Sequence, residues 1–131
     1  MASQLPIVMV IDDSLSVREF FRRCTETLTV EYRAFASATE SQEFLQHEHP
    51  AVVFLDIIMP EMDGLTFLQQ MRKTPGQEAT PVVMISSKDY AQDRMTARSY
   101  GAVDFVVKPM SLKTIRDLII KYTGAQTVHA K

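Results

Sequence analysis

Four apolar runs in this chain each end in residues that can do chemistry. Asp12-Asp13 follows Pro6-Ile7-Val8-Met9-Val10-Ile11, and Asp56 follows Val52-Val53-Phe54-Leu55. Ser86 follows Pro81-Val82-Val83-Met84-Ile85, and Lys108 closes a run from Val103 to Val107. The first three read as strands buried on both faces, as in a parallel sheet, and the run to Val107 as a last strand. In an open α/β sheet the C-terminal strand ends lie along one edge, and ligands bind at the switch point there. Asp12, Asp13 and Asp56 would crowd together at that point. Like charges at close range resist ionising together, so the site calls for a cation. Carboxylates without soft ligands suit a hard ion, and Mg²⁺ with retained waters fits best. A magnesium ion, a lysine and a hydroxyl around one carboxylate suit a phosphoryl group, which aspartate can accept as an acyl phosphate. Taken alone, Asp56 could as well cap a turn, since Met59-Pro60 stops its run and Asp63-Gly64 carries turn chemistry. The other strand ends tip the balance.

The intervening segments supply the helices that would hold these ends in place. Ser14 or Ser16 caps the first, with Glu19 completing a box to Ser16. Its apolar stripe is Val17, Phe20, Phe21, Cys24 and Leu28. Val30 to Phe35 is a more polar strand suited to a sheet edge, and Ser37-Ala38-Thr39-Glu40 boxes a helix that buries Phe44 and Leu45. A third helix carries Leu65, Leu68 and Met71 and stops near Thr74-Pro75-Gly76. A fourth, from Asp89 to Tyr100, offers only Ala91, Met95 and Ala97, and should be the least firmly packed. Ser111 caps a last helix with Leu112, Ile115, Ile119 and Tyr122 on one face, and Gly124 ends it. Strand and helix alternate five times with short connections, which predicts a doubly wound parallel sheet of five strands with helices on both faces.

Composition narrows the classes. A chain of 131 residues with a formal charge of -2 fits one domain, with no basic block to attract nucleic acid or membrane. No apolar run is long enough to span a bilayer, and no secretory leader pattern opens the sequence. Cys24 is the sole cysteine, which excludes an internal disulfide and fits the cytoplasm. Its place on the apolar stripe makes it a buried thiol and not a reactive one. His47 and His49 lack a third ligand nearby and read as solvated helix-end residues. His129 carries no signal in a tail, 125–131, expected to be disordered, and Met1 to Gln4 reads as a loose lead-in. No nucleophile–base pair, phosphate loop or zinc spacing supports an ordinary enzyme.

Asp12-Asp13, Asp56 with Met59-Pro60 and Met62-Asp63-Gly64, Ser86, and Lys108-Pro109 together resemble the receiver domain of two-component response regulators. The resemblance covers about residues 5–123. It implies the flavodoxin-like strand order 2-1-3-4-5 and a set of roles. Asp56 would accept phosphate from a sensor histidine kinase or a phosphotransfer protein. Asp13, Asp56 and the backbone carbonyl of Ile58 would hold Mg²⁺, with Asp12 acting mostly through water. Lys108 would pair with the phosphoryl group, across a peptide bond to Pro109 that is usually cis in the family. Ser86 would be drawn to a phosphoryl oxygen, and Phe105 would rotate inward and reshape the face of the fourth helix, fifth strand and fifth helix for a downstream partner. Phe105 could instead be a plain core aromatic; lacking a hydroxyl, it should favour a buried position more than tyrosine does.

Two positions depart from the usual receiver pattern. Ile58 stands where many receivers carry a polar side chain that helps orient hydrolytic water, and Lys88 where a carboxylate or amide would help. Both departures predict a long-lived phosphorylated form. Ile58 could also simply pack against the nearby loop. The leading reading is a stand-alone receiver of chemotaxis or phosphorelay type, a monomer or a phosphorylation-dependent dimer. A receiver cut from a longer regulator, or a non-phosphorylated one serving as a dimerisation module, are the alternatives. A flavodoxin-like ligand-binding module is disfavoured, since Asp12-Asp13 would repel a flavin phosphate.

Overall fold

The four apolar runs and the polar run at 30–35 all become strands, and the capped segments become helices. A computed structural model describes residues 4–128. Within them the order is β1 (Ile7–Ile11), α1 (Leu15–Thr25), β2 (Glu31–Phe35), α2 (Ala38–His47), β3 (Val52–Asp56), α3 (Gly64–Met71), β4 (Val82–Ser86), α4 (Ala91–Ser99), β5 (Asp104–Val107) and α5 (Leu112–Thr123). The strands form one parallel sheet in the order β2-β1-β3-β4-β5. The polar β2 lies at an edge, whereas β3 and β4 are buried throughout.

Alternation along the strands divides the core into two layers. Met9, Ile11, Val53, Leu55 and Met84 face one side with Leu45, Phe67, Leu68 and Met71. Val8, Val10, Val52, Phe54, Val83 and Ile85 face the other with Phe21, Cys24, Ile115 and Ile119. Helices on both faces are what keep a parallel sheet dry on both sides. The register then fixes the working edge. Ile11 lies between Phe35 and Leu55, Asp56 lies beside Ile85, and Ser86 lies beside Val107. The residues following these positions share one edge.

Local details amend several expectations. Ser14, not Ser16, caps α1, its Oγ accepting from Val17 N at 3.4 Å. Glu19 accepts from Arg22 Nε instead of closing a box to Ser16. Around Ser37 the expected exchange is nearly complete: Oγ accepts from Glu40 N, while the Glu40 carboxylate accepts from Ala36 N. On α3 Gly64, Phe67, Leu68 and Met71 are buried and Leu65 packs half-buried against the same core, so Phe67 joins the expected stripe. Met95, expected on the apolar side of α4, is 67% exposed, and Ala97 is the helix's buried residue. Gly124 ends α5 in the left-handed conformation at φ 70°, which glycine adopts without steric cost.

The tail is the main correction. Residues 125–128 are not loose: Thr29 N donates to Gln126 O at 3.0 Å, Gln126 N donates to Thr29 Oγ1 at 2.9 Å, and Val128 N donates to Thr27 O. Leu28 and Thr127 form an antiparallel bridge, and Ala125 is buried. The sequence around Gly124 gave no periodic signal because three or four residues pairing with a loop leave no pattern. The expectations for Met1 to Ser3, and for the tail from His129 onward, lie outside the described residues.

Candidate functional site

The β1 end turns sharply after Ile11. Asp12 is fully buried, its N–H donating to Phe35 O at 3.0 Å and its Oδ1 accepting from Ser14 N at 2.8 Å. Asp13, next in the chain, is exposed. Asp56 at the β3 end is only 4% exposed. Ligand oxygens of Asp12, Asp13 and Asp56 all lie within 4.8 Å of one another. Lys108, just past β5, places Nζ 3.0 Å from Asp12 Oδ2 and 3.5 Å from Asp56 Oδ1. Its peptide bond to Pro109 is cis, as the resemblance implied.

Electrostatics at this point are unbalanced. Burial above all, then the Asp12 charge, pushes the Asp56 carboxyl up to about 6; Asp13 adds to the push, and Lys108 pulls the other way. Burial depresses the Lys108 ammonium, yet its contacts with Asp12 and Asp56 outweigh that and hold it above the usual lysine value. Asp12 Oδ2 is buried without a hydrogen-bond partner, the lysine meeting it as a charge and not along a bond direction. Three carboxylates against one ammonium, with the buried Asp12 Oδ2 met only by the lysine charge, fit a small hard dication.

The loop from β3 into α3 keeps the acidic site tight. Gly64 N donates to Ile57 O at 2.7 Å, and a Cβ on Gly64 would stand 2.0 Å from Asp56 O. No other residue fits there. Asp63 then caps α3 through Thr66 N at 2.8 Å.

The remaining expected residues fall in two groups. Ser86 is buried at the β4 end, and its Oγ accepts from Lys88 N at 3.0 Å. Lys88 itself is exposed. Ile58 is 63% exposed, so it does not pack against the loop. Phe105 is half-buried and not enclosed in the core; the Arg94 guanidinium covers its ring at 4.6 Å from the centroid. Sequence reasoning missed Arg94 and Gly64's close approach, and it missed Arg18, whose Nη1 donates to Asp12 O at 2.8 Å. Arg18 sits six residues past the carbonyl it binds, a reach that no helical or strand period marks.

The comparisons agree with this geometry. The sequence model of the response regulator receiver domain matches residues 8–120. The chain belongs to that family. A probable transcriptional regulator, ycf27, of Cyanophora paradoxa is 33% identical over 108 residues, covering 82% of this chain and 44% of the relative. The sensor histidine kinase CheAY of Helicobacter pylori is 32% identical over 126 residues, covering 92% of this chain and 16% of that protein. Among solved structures, the chemotaxis protein CheY4 of Vibrio cholerae superposes with a TM-score of 0.82 at 22% identity, over 90% of this chain and 98% of the other. That likeness establishes a shared fold. The chain spans less than half the length of the ycf27 regulators it matches.

Proposed function

We propose that this chain, a single receiver domain over 1–131 with its core at about 5–123, takes a phosphoryl group on Asp56 from the phosphohistidine of a histidine kinase or phosphotransfer protein. One observation supports the reading most: Asp56 is a buried carboxylate between two other carboxylates and a lysine, at the lip of a fully buried strand. Mg²⁺ held by Asp13, Asp56 and the Ile58 carbonyl, with Asp12 acting through water, would neutralise charge on the transferring group. An Asp56 oxygen bonds to phosphorus as the nitrogen–phosphorus bond of the donor breaks. Lys108 follows the charge from the carboxylates to a phosphoryl oxygen. Ser86 Oγ, which accepts from Lys88 N, turns to donate to another phosphoryl oxygen, moving the loop before α4. Phe105 and the face of α4, β5 and α5 then change for a protein partner.

This activity needs neither nucleic-acid contact nor membrane insertion, and no described helix is long and apolar enough to cross a membrane. We place the protein in the cytoplasm, as a monomer or a phosphorylation-dependent dimer acting in chemotaxis or another phosphorelay. The greater length of the ycf27 regulators favours a second reading, in which the receiver serves a longer regulator.

Intact-mass spectrometry after acetyl phosphate treatment tests the proposal directly, and the absence of tryptophan makes mass the practical readout. The expected result is a Mg²⁺-dependent gain of a single phosphoryl group that Asp56→Asn abolishes. No adduct with acetyl phosphate, with a phosphohistidine donor, or spectral change with beryllofluoride would point instead to a dimerisation module.

A further inference from the structure

We propose that Arg18 is a positioning residue for Asp13, and so for the divalent cation; this rests on the acidic site binding Mg²⁺ as read above. The peptide joining Asp12 to Asp13 links the buried carboxylate to the exposed one. Asp12 is held at its N–H by Phe35 O, at Oδ1 by Ser14 N, and at Oδ2 by the Lys108 charge. Those contacts fix Asp12, and the Ser14 bond closes a ring across the peptide plane beyond it, but they leave that plane's carbonyl without a donor. The carbonyl of that plane accepts from Arg18 Nη1 at 2.8 Å. Because Asp12 is fully buried, this carbonyl has no solvent to fall back on.

Arg18 is itself well anchored. Its N–H donates to Ser14 O at 3.1 Å within α1, and its own carbonyl accepts from Tyr32 OH at 2.6 Å. The guanidinium therefore reaches back from a fixed helix turn to clamp the plane from which Asp13 emerges. Asp13 is the exposed carboxylate of the three, and among the described residues it accepts no side-chain hydrogen bond. Its direction depends on the backbone that carries it. The two cations near Asp12 also differ in kind. Lys108 sits on carboxylate oxygens and competes with a metal for them, whereas Arg18 binds a backbone oxygen and keeps its place when a metal enters. It adds positive charge to a crowded acidic site while taking up none of the ligand atoms.

The test is a Mg²⁺ titration of the full chain, followed by backbone amide resonances, for the native protein and for Arg18→Met, Arg18→Lys and Tyr32→Phe. Thermal unfolding without metal is measured in parallel. Residues that orient metal ligands from behind typically govern affinity by roughly 10- to 100-fold. Arg18→Met should weaken Mg²⁺ binding by about that factor and shift the metal-free Asp13 and Ser14 amides. Arg18→Lys should recover part of the loss. Tyr32→Phe loosens the same helix turn without touching the guanidinium, and should leave the affinity near native. Native affinity in folded Arg18→Met would overturn the proposal, as would an equal loss in Tyr32→Phe, which would mean that α1 stability alone matters. Should Arg18→Met fail to fold, Arg18→Gln takes its place in the same comparison. A native protein that binds no Mg²⁺ removes the reading of the site and this inference with it, whereas native binding untouched by Arg18 removes the inference alone.

Discussion

Asp56 is a carboxylate that its own fold makes expensive to ionise. Its folded value of about 6 lies above the ordinary 3.8, so the native state holds a proton more tightly than the unfolded chain does. Native stability from this group is therefore full below about pH 4 and falls as pH rises through 6. At 1.36 kcal/mol per pH unit, the ionised carboxylate costs on the order of 3 kcal/mol at pH 7, with the opposing pull of Lys108 already included. Without Mg²⁺, Asp56→Asn should raise the melting temperature at pH 7 and do so much less at pH 4.5. An equal gain at both values would exclude charge as the cause. On the proposed function, the neighbouring Ile58 should bear on the lifetime of the phosphorylated form instead. Ile58 is 63% exposed and offers water no hydrogen bond, so Ile58→Asn should shorten the phosphorylated lifetime by roughly tenfold or more, followed by mass, with little change in stability. An unchanged lifetime would move the control elsewhere, Lys88 being the next candidate.

At the scale of elements, α4 is held unevenly. Arg72, just past α3, donates to Tyr100 O at 3.0 Å, to Gly101 O at 2.9 Å and to Gln77 O at 3.0 Å. The C-terminal end of α4 is thus pinned by a half-buried guanidinium. The N-terminal end begins at Tyr90 with no side-chain cap bond, and its Asp89–Arg94 pair is solvent-exposed, a kind of pair that contributes little. If phosphorylation moves a helix held this way, it should pivot about its far end. Beryllofluoride should change amide exchange most at 88–94 and least at 98–101, and Arg72→Met should extend the change along the whole helix. Uniform protection along α4 in the native protein would rule out the pivot. Weak packing of this helix was legible from Ala91, Met95 and Ala97, but the pin was not. A single arginine donating to carbonyls 28 and 29 residues away leaves no local pattern.

For the whole molecule, what could be read in advance was what repeats or alternates. The buried runs at 52–55 and 81–85 read as interior strands and the polar run at 30–35 as suited to an edge, and the sheet puts them there. Once the sheet was parallel, its topology brought Asp12, Asp13, Asp56, Ser86 and Lys108 to one margin. What stayed hidden depends on contacts distant in sequence, such as the Arg94 cover on Phe105 and the strap after Gly124. That strap joins the end of the chain to the turn between α1 and β2, and its contribution follows from opposing terms. The bonds of Thr29, Gln126 and Val128 give about 1 kcal/mol each, and burying Ala125 adds somewhat less. Ordering four residues costs roughly 1 kcal/mol or more apiece. The two nearly cancel, so ending the chain at Gly124 should lower stability by no more than about 1 kcal/mol in urea unfolding. Exchange of the Thr29 amide should rise far more than that figure implies, because its sole acceptor is removed. A loss of 3 kcal/mol or more would instead make the strap part of the core that α1 and α5 share, and truncation would then disturb the packing of Phe21, Cys24 and Ile119.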